Sequence, residues 1–159
     1  MKRKPARRPR TPPAARPASK AAAAISAPSS SLLAAAVSAA REARAHAHAP
    51  YSQFLVGAAV LDDQGRLHVG CNVENASYGL TTCAERNAIA AAVVAGARRI
   101  TAVAVVTDAD PLASPCGACR QVLAEFADPA AVVILAAVRD AGTVAHTVGG
   151  LLPDSFRLK

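Results

Sequence analysis

Aromatic side chains are scarce in this 159-residue chain: two Tyr, three Phe and no Trp, or 3% of the sequence. A platform that stacks successive bases of single-stranded nucleic acid needs several such rings, so the composition argues against one. Long apolar runs are missing too. Alanine supplies most of the apolar content, but Arg, Asp or Gly interrupts it every few residues. No stretch approaches the roughly 20 apolar residues of a membrane-spanning helix. Acidic residues are absent from positions 1–30. What is present suffices for a core: 52% of residues are hydrophobic and 18% charged, which excludes a wholly disordered chain and fits one domain.

The net charge of +7 divides unevenly. Lys2, Arg3, Lys4, Arg7, Arg8, Arg10, Arg16 and Lys20 give residues 1–30 a charge of +8, leaving ten basic residues against eleven acidic ones, or −1, in the remainder. Residues 1–28, built from Ala, Pro, Arg, Lys and Ser, offer too little apolar surface to offset chain entropy and read as a disordered basic extension. Residues 29–159 read as a single domain. Three readings of the extension compete. Residues 1–20 can touch nucleic acid or an anionic surface through charge alone; the segment can be an organellar transit sequence; or it is a plain solvated extension. Nucleic-acid contact is not read as the function, because the basicity belongs to the extension. Asp108-Ala109-Asp110-Pro111 also places acid beside Cys116. Ala21–Ile25 is too short and too weakly apolar for a secretory signal, so the expected compartment is the reducing cytoplasm.

Ser29, Ser30 and Ser31 offer N-cap hydroxyls to a helix expected over Leu32–His46, with Arg41, Glu42 and Arg44 on its solvent face. Phe54–Leu61 suits a strand, Asp62-Asp63-Gln64-Gly65 a hairpin turn, and Arg66–Val73 the returning strand. A second helix is expected over Cys83–Ala95, ended by Gly96. The uncharged β-branched run Ile100–Thr107 has the pattern of a strand covered on both faces. A helix near Gly117–Phe126 and strands at Val132–Ala136 and near Thr143–Val148 follow. The order predicts an α/β fold, a three-layer α-β-α sandwich around a mixed central sheet.

Four cysteines are present, Cys71, Cys83, Cys116 and Cys119. A lone cysteine is most simply a small buried hydrophobe, the reading given to Cys71 on its strand. Cys116-Gly-Ala-Cys119 at a helix start puts two thiols on one face with the positive helix end toward them. Such a pair serves as a redox couple or as half a metal site. Cys83-Ala-Glu85-Arg86 lies at another helix start, where a thiol at the N-cap and the carboxylate two residues on can turn toward one point. Together the two starts give three thiolate ligands with a fourth position open, the arrangement of catalytic rather than structural zinc. Cys-x-Glu followed about thirty residues later by Pro-Cys-x-x-Cys is also the signature of the zinc nucleobase deaminases in their three-cysteine form.

The motifs Pro50-Tyr51-Ser52-Gln53-Phe54, Val56-Gly57-Ala58-Ala59, Asn72-Val73-Glu74-Asn75-Ala76-Ser77-Tyr78-Gly79, Thr82-Cys83-Ala84-Glu85-Arg86-Asn87-Ala88, Ser114-Pro115-Cys116-Gly117-Ala118-Cys119-Arg120-Gln121 and Leu151-Leu152-Pro153 with Phe156 follow in order. From Ser31 to Phe156 the chain resembles the small, homotetrameric, zinc-dependent cytidine deaminases. Leu55 departs from the proline that many of them carry, and the basic extension has no counterpart.

The resemblance implies roles. Cys83, Cys116 and Cys119 would hold one zinc ion per subunit. Glu85 would take a proton from the attacking water and pass protons to N3 and then to the leaving ammonia. Asn72 and Glu74 would hydrogen-bond the ribose hydroxyl, and the backbone of Ala84 with the Cys83 loop would read the base edge. Phe54 would line the pyrimidine pocket, and Phe156 would stack on the base from a neighbouring subunit of a homotetramer. On chemical grounds, Arg86 and Arg120 can donate hydrogen bonds that draw charge from the thiolates, which otherwise leave zinc a weak acid. The implied activity is conversion of cytidine and 2′-deoxycytidine to the uridines. Competing readings are a blasticidin-S-type nucleoside deaminase with the same zinc site and, in another class, a nucleic-acid-binding module with structural zinc. The retained Asn72 and Glu74 speak against the first. The second lacks a fourth ligand unless His68 or His146 supplies it.

Overall fold

The computed structural model describes residues 27–139 and 142–157, so the expected disorder of the extension lies, except for Ala27 and Pro28, outside the described residues. Helix α1 (Ser30–Arg44) starts two residues earlier than expected, because the Ser29 hydroxyl accepts the Leu32 N–H at 3.3 Å. It also ends two residues earlier. The N–H groups of Ala45, His46 and Ala47 bond to carbonyls three residues back, tightening the last turn and unwinding the helix before Pro50.

Strands β1 (Gly57–Asp62) and β2 (Leu67–Cys71) form the hairpin, and α2 (Ala84–Val94), β3 (Ile100–Thr107), α3 (Gly117–Phe126), β4 (Ala127–Ala137), β5 (Thr143–Thr147) and α4 (Val148–Leu151) follow. The sheet order is β2-β1-β3-β4-β5. Only β3 and β4 pair in parallel, so the sheet is mixed, as expected. The short α4 was not expected. Thr147 leaves the last strand and caps α4, accepting the Gly150 N–H at 3.0 Å.

The expected strand at Phe54 begins only at Gly57: side chains take Phe54 O, Leu55 O and Val56 N, and of the carbonyls of residues 54–56 only that of Val56 meets backbone, accepting from Asn72 N at 3.1 Å. β4 starts earlier than expected. Its residues 128–131 bulge out between the Ala127 and Val132 pairings with β3.

Side chains alternate across the sheet into two cores. Ala59, Ala104, Val106 and Ala136 meet Ala36 and Ala40 of α1 on one face. Val60, Val103, Val105, Val133 and Leu135 meet Ala88, Ile89 and Leu123 of α2 and α3 on the other. The layers are α1, sheet, and α2 with α3. Among the described residues no helix is long and apolar enough to cross a membrane.

The polarity of the sheet positions the site. β2 and β3 are each antiparallel to β1, so they run the same way and end at the same edge. α2 follows β2 and α3 follows β3, and both helices pack on one face. Their N-termini therefore meet. Gly70 sets how closely α2 approaches, since a Cβ there would lie 2.4 Å from Ala88 N and 2.6 Å from Ala84 O.

At the opposite edge Asp62 closes the hairpin. Its carboxylate accepts from Gln64 N and Arg66 N at 2.9 Å, Arg66 Nε at 2.8 Å and His68 Nε2 at 3.0 Å. Burial alone would raise its carboxyl, but the hydrogen bond from His68, with those from Arg66 and Gln64, outweighs it and holds the group at about 2, below the usual 3.8.

Two predictions follow from this packing. Gly70→Ala forces backbone apart and should destabilise the chain by about 2–3 kcal/mol, read as a lower urea midpoint. Because the Asp62 carboxyl is depressed, its contribution is complete above pH 3.8 and is lost as pH falls through about 2. Asp62→Asn should therefore lower stability at pH 7 by about 2 kcal/mol and flatten its fall between about pH 4 and 2, followed by denaturant titration at each pH.

Candidate functional site

Cys83 and Cys116 are the N-cap residues of α2 and α3, with extended backbones (φ −71°, ψ 155° and φ −66°, ψ 165°). Neither sulfur caps its own helix, which leaves both free for another partner. Cys119 lies in the first turn of α3. The three Sγ atoms fall within 4.8 Å of one another, and those of Cys83 and Cys116 are 3.9 Å apart. Tetrahedral zinc with Zn–S bonds of about 2.3 Å has an S–S edge of about 3.8 Å. The donor set thus fits zinc by chemistry and by spacing. Cys119 is buried, Cys83 half-buried and Cys116 exposed. Cys71 lies on β2 outside this cluster and is half-buried, not the fully buried hydrophobe expected.

The thiols share their protons unequally. The hydrogen bond from Cys119, aided by the Arg86 guanidinium, brings Cys83 down to about 5. The same bond to Cys83, with burial, pushes Cys119 well above the thiol range. Arg86 lies in the first turn of α2. Its terminal nitrogen is 3.8 Å from Cys83 Sγ and donates to Thr81 O at 3.0 Å, while its Nε is buried without a hydrogen-bond partner. The hydrogen bond to Cys83 raises the Arg86 pKa further, so its charge is fixed beside the sulfurs.

Glu85 is 5% exposed. Burial raises its carboxyl, and the charge on Cys83 adds to the shift. Ala84 between them is fully buried. A carboxyl whose hold on a proton is strengthened by burial, two residues from a thiol spaced for a metal, has the chemistry of a group that takes up and gives back a proton.

Three of the expected substrate contacts, Phe54, Asn72 and Glu74, cluster around residues 50–56. Asn72, just past β2, is buried and holds this segment by its side chain, donating to Phe54 O and accepting from Val56 N, both at 2.8 Å. One amide hydrogen remains for a ligand. Glu74 accepts from Tyr51 N at 2.9 Å, from Ser52 N at 3.2 Å and from the Ser52 hydroxyl. The Ser52 hydroxyl bond, with those of the two N–H groups, keeps its carboxyl below the usual range. Phe54 is partly exposed at 38%.

Two basic residues differ from expectation. Arg120 does not reach sulfur: its guanidinium donates to Pro115 O at 2.7 Å, Ser114 Oγ at 2.9 Å and Leu151 O at 3.0 Å. One position past Cys119, it points about 100° around the helix and fastens the approach to Cys116 and the C-terminal segment. Gln121 continues this fastening by donating to Phe156 O at 2.7 Å, while the Phe156 ring stays exposed. Arg44, expected on the solvent face, turns inward with 13% of its side chain exposed. Its spacing carries the signal: Arg44 stands four residues past Ala40 and eight past Ala36, in line with the buried face of α1.

A family model described as the cytidine and deoxycytidylate deaminase zinc-binding region matches residues 30–136. The cytidine deaminase of Sporosarcina psychrophila is 46% identical over 121 residues, covering 76% of this chain and 88% of that protein. The cytidine deaminase of Mycobacterium tuberculosis (strain H37Rv) is 44% identical over 119 residues, covering 75% and 85%. Among solved structures, the 1.6 Å crystal structure of cytidine deaminase from Burkholderia pseudomallei superposes with a TM-score of 0.74 at 46% identity, covering 77% of this chain and 98% of that one.

The geometry makes the metal dependence on each group testable. Cys119→Ser should abolish stoichiometric zinc binding, while Cys71→Ser should leave it intact, both read by elemental analysis. Arg86→Leu should keep the ligands but weaken zinc retention about 10-fold against a competing chelator.

Proposed function

Because the chain belongs to the cytidine and deoxycytidylate deaminase family, we propose that it converts cytidine and 2′-deoxycytidine with water to uridine and 2′-deoxyuridine, releasing ammonia. The observation that carries this reading is the buried carboxyl of Glu85 beside three sulfurs spaced for one metal ion. Residues 29–159 act as the catalytic unit. Cys83, Cys116 and Cys119 would hold the zinc ion, which would supply Lewis-acid activation of a water molecule.

The rest of the chemistry falls to the side chains. Glu85 takes a proton from the attacking water and delivers it to N3 of the pyrimidine, then carries the second proton to the 4-amino group, which leaves as ammonia. Its raised carboxyl suits both directions of transfer. The backbone at Ala84 and the Cys83 loop read the base edge, and Phe54 packs against the ring. The spare amide hydrogen of Asn72 and the carboxylate of Glu74 bind the ribose hydroxyl. Glu74, already below the usual carboxylate range, is an acceptor for that hydroxyl. Arg86 draws charge from Cys83, whereas Arg120 acts at one remove by fixing Pro115.

Phe156 stacks on the pyrimidine of a neighbouring subunit in a homotetramer. Its 69% exposed ring, on a backbone tethered to Gln121, leaves it available for this role. Cytoplasmic location is supported by the four free thiols, three of them needed as ligands.

The test is loss of cytidine's near-ultraviolet absorbance on adding the zinc-loaded protein. Turnover is expected, and Glu85→Gln should lower kcat by about 10²–10⁴-fold with zinc content unchanged. Turnover of blasticidin S but not cytidine would overturn the assignment of substrate.

A further inference from the structure

Residues 54–56 lie outside the named strands, yet three of their backbone groups in succession, Phe54 O, Leu55 O and Val56 N, are held by side chains. Asn72 takes the Phe54 carbonyl and the Val56 N–H. The Leu55 carbonyl between them is taken by Arg44 Nε at 2.8 Å. Just before them, Gln53 has φ 59°, a left-handed conformation that a residue other than glycine rarely adopts, so the turn feeding Phe54 is held by its surroundings.

The Arg44 guanidinium has a second partner, Asp108 Oδ2, at 2.7 Å. Asp108 is the first residue after β3 and opens the connection that ends at Cys116. Gly57 permits this reach. A Cβ at Gly57 would lie 2.6 Å from Arg44 N and 2.8 Å from Arg44 Cβ, so only glycine lets the end of α1 settle against the start of β1. One planar cation thereby joins the Phe54 segment to the connection carrying a metal ligand. Its fork donates in two directions at once, which a lysine ammonium on one flexible stem does not reproduce.

We propose that Arg44 is a positioning residue for the pyrimidine pocket, fixing Phe54 through the Leu55 carbonyl and setting its distance from the metal site through Asp108. The kinetic consequence rests on the deaminase reading above. The structural consequence does not.

The experiment compares the zinc-loaded wild type with Arg44→Ala, Arg44→Lys and Asp108→Asn. It combines steady-state kinetics on cytidine, zinc content, and hydrogen exchange of peptides spanning 50–57, 108–116 and 84–94. Arg44→Ala should raise KM about tenfold, the loss of one charge-assisted hydrogen bond, while kcat stays within about threefold. Exchange should quicken at 50–57 and 108–116 but not at 84–94, with zinc content unchanged. Arg44→Lys should fall between, and Asp108→Asn should quicken exchange at 108–116 and raise KM less than Arg44→Ala. Unchanged KM and exchange would overturn the proposal. So would equal loss of kcat, zinc and protection at 84–94, the mark of a purely structural residue. If Arg44→Ala does not fold, the Lys and Asn variants decide by the same readings. If the wild type leaves cytidine untouched, the substrate reading fails and the exchange pattern alone decides the role of Arg44.

Discussion

Two helix N-termini converge on one spot, and everything near that spot answers to the resulting charge. Each helix end carries unpaired N–H groups and a partial positive charge, so α2 and α3 would repel where they meet. Three sulfurs at the junction reverse the balance. The hydrogen bond between Cys119 and Cys83, with burial, raises the first thiol and lowers the second, so the trio does not carry its charge evenly. A divalent cation would be held by all three. Arg86 adds positive charge from the side of α2, and burial of Glu85 keeps a proton-exchanging group within the same neighbourhood.

Close approach is what lets so small a chain present this junction, and alanine and glycine provide it. Ala36 and Ala40 rest on Ala59 and Ala104, surfaces with almost no side-chain height. Gly57 and Gly70 bring helix backbones against strand backbones at distances that no Cβ could share. The poverty in aromatics noted in the composition is the counterpart of this packing. Of the five rings only Phe126 packs against a core cluster, and Tyr51, Tyr78, Phe54 and Phe156 lie at least partly exposed instead. Tyr51 and Tyr78 meet edge to face, with ring centroids 6.2 Å apart.

The legible part of the sequence was what local chemistry dictates. Cys83 and Cys116 could be placed at helix starts because each stands directly before a helical run, and three thiols at two such starts leave a fourth position open, the pattern of a catalytic metal. β3 was legible because a β-branched run without charge has few other structures open to it. What stayed hidden were the directions of long polar side chains. Arg44 and Arg120 each have several rotatable bonds, and their partners lie far along the chain: Asp108 for Arg44, Leu151 for Arg120. The sequence neighbours that suggested a solvent face for one and a sulfur for the other carry no information about those partners. The late start of β1 was hidden for the same reason, since it depends on Asn72 and Arg44 occupying backbone groups that strand pairing would otherwise use.

The parallel course of β2 and β3 divides the molecule into an end that must keep its length and an end that need not. At the edge where both strands finish, the segments running to Cys83 and Cys116 are spanned by fixed cross-links from Arg86, Arg120 and Arg44, so one inserted residue would turn a ligand away from its partners. At the other edge lie the Asp62–Gly65 hairpin tip and the turn after α2, joined to nothing in the site. Insertions and deletions accumulated by chains of this architecture should therefore gather at that second end, where the loops can grow without disturbing the chemistry.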